Sequence, residues 1–129
     1  MTKQERIDKA LKLHGEGYNC AQCVLMATND FTSEQADMAV RVAAGFGGGF
    51  GATGNICGVL SAIGMAEGLR GWNCPNDKGS VYGVVRSSKR DFEERYGTIT
   101  CRELKAGKVA CSQLIADGVT YLCDKYSIE

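Results

Sequence analysis

The sequence predicts an all-α protein, a single-domain bundle of about five to seven helices with a glycine-rich turn in the middle. Apolar residues recur every three or four positions along most of the chain, which is typical of amphipathic helices. No segment shows the sustained apolar and polar alternation of a strand, and capping residues precede several of the periodic segments. With 129 residues, no repeat and no linker, the chain is expected to fold as one domain over residues 1–129.

The composition and charge narrow the classes of function. Fifteen Lys and Arg residues balance fifteen Asp and Glu residues, which excludes a strongly basic nucleic-acid-binding protein. The amino-terminal segment lacks the apolar core of a signal peptide, so we expect a cytoplasmic protein. The uncharged segment 42–66 contains too many glycines for a helix in lipid, so we expect no membrane insertion.

Capping signals define three helices in the first part of the chain. Thr2 with Glu5, and Thr32 with Gln35, have the spacing of a capping box, in which two side chains satisfy two free backbone N–H groups. Asn19 is expected to cap a short second helix in the same part of the chain. The sequence therefore predicts helices that begin just after these three caps.

A fourth helix is predicted after the glycine-rich segment 45–54. Asn55 is expected to cap it, and it covers residues 56–71. Small residues four positions apart along this helix are Gly58, Ala62 and Ala66. They allow a neighbouring helix to approach closely, either within this chain or across a homodimer.

The last part of the chain predicts three further helices. A long amphipathic helix is expected to begin at Ser80 and to stop at Gly97. Thr100 with Glu103 has the spacing of a third capping box, which begins a short helix. The final helix covers about 111–125.

Seven cysteines are the most unusual feature of the composition. In a reducing compartment they are more often metal ligands or redox groups than a disulfide framework, and an odd number cannot pair completely. Four of them, which we call the helix-start cysteines, are predicted in or beside the first turn of a helix: Cys20, Cys57, Cys101 and Cys111. Backbone N–H groups and the helix dipole stabilise a thiolate there and lower its pKa. If the four converge, they form a soft site suited to an iron–sulfur cluster or to zinc.

The other candidate ligands are expected to be packing residues. Free cysteine is among the most buried residue types, and on this ground we assign Cys23, Cys74 and Cys123 to packing. The single C-x-x-C motif is followed by Val24 rather than His, which excludes the usual haem attachment motif. His14 stands alone on the apolar face of the first helix, and we expect it to pack or cap rather than to bind a metal.

Several motifs together resemble the C_GCAxxG_C_C family of small redox-active proteins. They are NCAQ at 19–22, GGGFGATGNICG at 47–58, CREL at 101–104 and a further cysteine at 111. The resemblance extends over roughly residues 17–123, and the four cysteines typical of the family correspond to the helix-start cysteines. Val59 stands where the family usually has Ala. The resemblance implies a redox or metal-binding role, and a related region in split-Soret-type cytochromes implies an iron–sulfur site.

The glycine-rich segment has two interpretations that are compatible. Residues 49–54 match G-x-G-x-x-G, but no strand precedes them, so a dinucleotide site is not supported. The segment is expected to form a tight turn that brings Cys57 against its partners. It is also a candidate cofactor-binding nest, in which backbone N–H groups point at an anion or a cluster sulfide. The candidate nest residues are Gly48, Gly49, Gly51 and Gly54.

Three functions remain open at this point. In the leading hypothesis the helix-start cysteines bind an iron–sulfur cluster, for electron transfer with a redox partner protein or for redox sensing. In the second, a metal-free protein cycles between thiols and a disulfide, with Cys20 and Cys23, or Cys101 and Cys111, as the pair. In the third, the four cysteines hold a structural zinc ion in an interaction module. The sequence leaves open whether any reaction is catalysed.

Overall fold

The computed structural model describes residues 1–128, which form seven helices joined by short turns. The helices are α1 (Lys3–Gly15), α2 (Cys20–Ala27), α3 (Ser33–Ala43), α4 (Gly58–Gly71), α5 (Lys78–Tyr96), α6 (Cys101–Ala106) and α7 (Cys111–Tyr126). Short 3-10 turns lie at Ala44–Phe46 and Pro75–Asp77, and the turn Gly47–Phe50 lies within the glycine-rich segment. Within residues 1–128 there is no β-strand, so the all-α prediction is confirmed.

The predicted caps begin the first three helices. Reciprocal capping boxes join Thr2 to Glu5, Asn19 to Gln22, and Thr32 to Gln35. The third predicted box, Thr100 with Glu103, is only half formed. The hydroxyl of Thr100 accepts the backbone N–H of Glu103 at 3.3 Å, but the N–H of Thr100 donates to the hydroxyl of Thr98 at 3.1 Å.

The predicted start of α4 is wrong, because Asn55 is used in a long-range contact. The carbonyl of Asn55 accepts the backbone N–H of Cys101 at 2.7 Å, and residues 56 and 100 form an antiparallel bridge. The chain is therefore extended at Asn55, and α4 begins at Gly58 with Cys57 as its N-cap residue.

The predicted start of α5 is also wrong, because a 3-10 turn runs directly into the helix. The turn at Pro75–Asp77 continues without a break into α5, which begins at Lys78 rather than Ser80. Gly97 ends this helix in the left-handed conformation, as predicted.

The core lies where α2 and α4 pack against each other, with α1, α5 and α7 around them. The small residues of α4 are buried inside this chain. A Cβ atom at Gly58 would lie 2.6 Å from the Sγ atom of Cys20, and Ala62 and Ala66 are buried. The stripe of small residues therefore serves packing within the chain, while a homodimer stays a prediction. None of the helices in residues 1–128 is long and apolar enough to cross a membrane.

Candidate functional site

The helix-start cysteines line a single cavity of about 210 Å³. Each stands at the start of a different helix, as predicted: Cys20, Cys101 and Cys111 are the first residues of α2, α6 and α7, and Cys57 is the N-cap residue of α4. Pockets for drug-sized ligands measure roughly 300–1,000 Å³. This cavity is smaller, and it suits a compact inorganic group better than an organic cofactor.

A left-handed turn in the glycine-rich segment forms one wall of the site. Five consecutive residues have positive φ angles, Gly48 (64°), Gly49 (72°), Phe50 (70°), Gly51 (64°) and Ala52 (62°). This conformation costs roughly 1–2 kcal/mol for each residue that has a side chain, so three glycines lower the cost of the turn. A Cβ atom at Gly49 would lie 2.6 Å from the Cβ atom of Cys101. The turn therefore packs directly on the start of α6.

Backbone pairing holds Cys57 and Cys101 beside each other. The N–H of Cys57 donates to the carbonyl of Ile99 at 2.8 Å, and the N–H of Cys101 donates to the carbonyl of Asn55 at 2.7 Å. These bonds join two short extended segments that run in opposite directions. The starts of α4 and α6 are fixed to each other in this way, although more than 40 residues separate them, since the two cysteines are at positions 57 and 101.

The candidate glycines occupy different places around the site. Gly48 lines the cavity, and its backbone N–H acts to lower the pKa of Cys20. Gly49, Gly51 and Gly54 are not among the lining residues. They supply the positive φ angles of the turn, and Gly54 packs on the side chain of Arg102.

Burial controls the acidity of two of the helix-start cysteines. It raises the pKa of Cys20, and the charges of the neighbouring helix-start cysteines raise it further. Burial also raises the pKa of Cys57 to about 11, although the backbone N–H groups of Val59 and Leu60 act in the opposite direction. The prediction that a helix start lowers the pKa is therefore wrong for Cys20 and Cys57, because desolvation outweighs the N–H donors.

Two of the other three cysteines are packing residues, as predicted. Cys23 and Cys123 are buried. The thiol of Cys23 donates to the carbonyl of Tyr18 at 3.6 Å, and its pKa is raised to about 12, mainly by burial. The prediction is wrong for Cys74, which is exposed in the loop before α5. Its backbone N–H donates to the carboxylate of Asp77 at 3.2 Å, so the loop turns over the surface instead of entering the core.

His14 is a residue of this site that the sequence analysis missed. It lines the cavity together with the helix-start cysteines, and its Nδ1 atom is buried without a hydrogen-bond partner. The sequence offered one signal, a histidine in the last turn of a helix that ends shortly before Cys20. That position alone does not reveal which way the ring points.

Soft sulfur atoms dominate the possible ligands around the cavity. Thiols from four helices surround the cavity, and only glycine fits at position 58 against the sulfur of Cys20. Within residues 1–128 no three His, Cys, Asp or Glu side chains are arranged to hold a single metal ion. Thiolates are soft ligands of the kind that both zinc and iron–sulfur clusters take in proteins.

A family model described as "Putative redox-active protein (C_GCAxxG_C_C)" matches residues 18–125. The chain belongs to the C_GCAxxG_C_C family. The matched range contains all four helix-start cysteines and the left-handed turn, so the resemblance seen in the sequence is confirmed. No curated protein and no solved structure matches this chain.

Proposed function

We propose that this C_GCAxxG_C_C protein binds an iron–sulfur cluster with its helix-start cysteines and uses it for electron transfer or redox sensing. The observation that carries the proposal is the convergence of four cysteines, from the starts of four separate helices, on one cavity of about 210 Å³. Cysteine thiolates are the usual ligands of such clusters. When bound, the cluster supplies one-electron transfer, and electron transfer in turn requires a redox partner protein.

The chain's own residues would hold the cluster and tune it. The backbone N–H group of Gly48 acts to lower the pKa of Cys20, and those of Val59 and Leu60 act to lower the pKa of Cys57. N–H groups directed at ligand sulfur stabilise negative charge, so they favour the reduced cluster. Lys105, an exposed residue, also lines the cavity.

The dithiol alternative is less well supported by the positions of the cysteines. Cys20 lines the cavity, but Cys23 lies in the core and donates to a backbone carbonyl. A buried thiol with a pKa raised to about 12 is a poor source of the thiolate that disulfide exchange requires. The pair of Cys101 and Cys111 remains available to this alternative, since both line the cavity.

The zinc alternative requires a tighter arrangement. Four thiolates would have to meet one ion tetrahedrally, each at about 2.3 Å. Within the described residues no group of three or more His, Cys, Asp or Glu side chains is placed to hold a metal ion. The same four thiols would serve zinc or a cluster, and metal analysis distinguishes the two.

Single replacements of the helix-start cysteines by alanine test the proposal, because alanine cannot coordinate a metal. We expect Cys20→Ala, Cys57→Ala, Cys101→Ala and Cys111→Ala each to lose most of the iron and acid-labile sulfide found in the anaerobically purified protein. Cys123→Ala is the matched control, since Cys123 is buried outside the cavity. Full iron in one of the four variants would exclude that cysteine as an essential ligand, and full iron in all four would overturn the site.

A further inference from the structure

A residue that lines the cavity has a buried nitrogen atom without a partner. Within residues 1–128, the Nδ1 atom of His14 is the one buried side-chain nitrogen or oxygen that makes no hydrogen bond. Leaving such an atom unsatisfied costs about 1–3 kcal/mol, so native proteins rarely do so without a reason. The same histidine lines the cavity of the helix-start cysteines. A group bound in this cavity would supply the missing partner.

The turn between α1 and α2 fixes the position of this histidine. The carbonyl of His14 accepts the N–H of Gly17 at 3.2 Å, and the N–H of Tyr18 donates to the carbonyl of Leu13 at 3.1 Å. Gly17 has a φ of 102°, which reverses the chain, and α2 then begins at Cys20. His14 and Cys20 therefore face the cavity from the two sides of one tight turn.

The polar groups around the cavity favour Nδ1 as a donor. Asn19 is already used, because its Oδ1 atom accepts the N–H of Gln22 at 2.8 Å and its Nδ2 atom donates to the carbonyl of Ala44 at 3.1 Å. Lys105 is exposed, so its ammonium group can stay in water and need not pair with Nδ1. The remaining polar atoms are sulfurs, and the sulfurs of a cluster and its thiolate ligands are acceptors.

We infer that the Nδ1–H group of His14 donates a hydrogen bond to a sulfur of the cluster or of its cysteine ligands, and so raises the reduction potential. This inference rests on the proposed function and adds a positioned donor to it. Reduction adds negative charge to the cluster, and an N–H donor to sulfur stabilises that charge. The family model matches residues 18–125, so His14 lies outside it.

Two substitutions distinguish the effect of losing the N–H donor from the effect of losing the imidazole ring. His14→Leu removes the N–H group, whereas His14→Asn keeps an amide N–H close to the position of Nδ1. We expect His14→Leu to bind as much iron and sulfide as the wild type but to have a lower midpoint potential, and His14→Asn to restore most of the difference. Lys12→Leu is the control, because it removes an exposed cation from the same turn of α1 and leaves the potential unchanged.

Histidine labelling gives a second readout, because His14 is the one histidine in the chain. With ¹⁵N-labelled histidine, pulsed EPR of the reduced protein should show a weak nitrogen coupling that disappears in His14→Leu. An unchanged potential in His14→Leu at full iron content, or no nitrogen coupling, would overturn the inference and leave the cluster in place. A strong coupling is typical of nitrogen bound to iron. It would show that His14 is a ligand of the cluster and not a hydrogen-bond donor, and it would also overturn the inference. A wild-type protein without iron would instead contradict the proposed function.

Discussion

Two buried polar clusters in this bundle differ in whether their hydrogen-bonding groups have partners. In the Glu67 network (Glu67, Ser88, Lys125 and Tyr126) the carboxylate accepts hydrogen bonds from Ser88 at 2.7 Å, Lys125 at 2.8 Å and Tyr126 at 2.6 Å. Around the cysteine cavity, by contrast, four thiols face open space and His14 Nδ1 has no partner. A polar cluster completed by the chain itself supports the fold, whereas one that is left incomplete indicates a binding site.

The two clusters also differ in what holds them together. The Glu67 network is built from side chains of α4, α5 and α7. The cysteine cavity is held by the backbone, through the left-handed turn and the pairing of residues near 56 and 100. A methyl group added in the left-handed turn should therefore affect only the cysteine cavity. Removal of the carboxylate should affect only the Glu67 network.

The largest effect is expected at Gly49, on the cysteine side. In Gly49→Ala the new Cβ atom would lie 2.7 Å from the backbone nitrogen of Asn55, at a φ of 72°. Left-handed strain and overpacking together should lower the free energy of unfolding by about 3 kcal/mol, measured by urea titration of the metal-free protein. Gly83→Ala is the control, since a Cβ atom there meets nothing within 4 Å. It should stabilise α5 by up to about 1 kcal/mol, as alanine does in a helix interior. Equal effects of the two substitutions would show that the turn is not under this constraint.

A smaller loss of stability is expected from Glu67→Leu, on the other side of the comparison. The substitution removes the acceptor for three donors, one of them a cation. Breaking a buried ion pair costs roughly 3–5 kcal/mol, but Lys125 is about a quarter exposed and can turn towards water, so we expect about 2 kcal/mol. Iron content per folded protein should be unchanged. Lys89→Leu, which breaks an exposed pair with Glu93, should cost less than about 0.5 kcal/mol. Loss of iron in Glu67→Leu would show that the two clusters are coupled.

The pH dependence of stability should be a weaker signature of the Glu67 network. Burial and the hydrogen bond to Glu67 raise the pKa of Tyr126 to about 12, whereas an unfolded tyrosine titrates near 10. The folded state therefore holds this proton more tightly, and the resulting stability is present below pH 10 and is lost as the pH rises through 12. Tyr126→Phe should have a flatter stability curve between pH 10 and 12 in urea titrations. An unchanged slope would contradict the assignment of this loss to Tyr126.

The features that the sequence predicted well are local ones. The caps at Thr2, Asn19 and Thr32 depend on residues three positions away, and the helix starts at Cys20 and Cys101 follow from the same kind of signal. Asn55 has the residue type of a cap, but a contact with Cys101 draws it into an extended segment. No local pattern contains that information.

The chemistry of the site was less predictable, because it depends on how the helices pack. Burial outweighs the N–H donors at Cys57 and raises its pKa to about 11, whereas the position at a helix start suggested the opposite. His14 has the spacing of a core residue on α1, but it lines the cysteine cavity because α2, α4, α6 and α7 begin beside it. The direction of a side chain and its desolvation are both set by residues far away in the sequence.

The most direct test of this account is the metal content of the wild-type protein, purified without oxygen, together with its visible absorption spectrum. The account predicts iron with a matching amount of acid-labile sulfide, and a charge-transfer band that bleaches on reduction. A colourless protein without iron would contradict it. Zinc in such a sample would then favour a structural site, and the absence of both metals would favour thiol–disulfide chemistry.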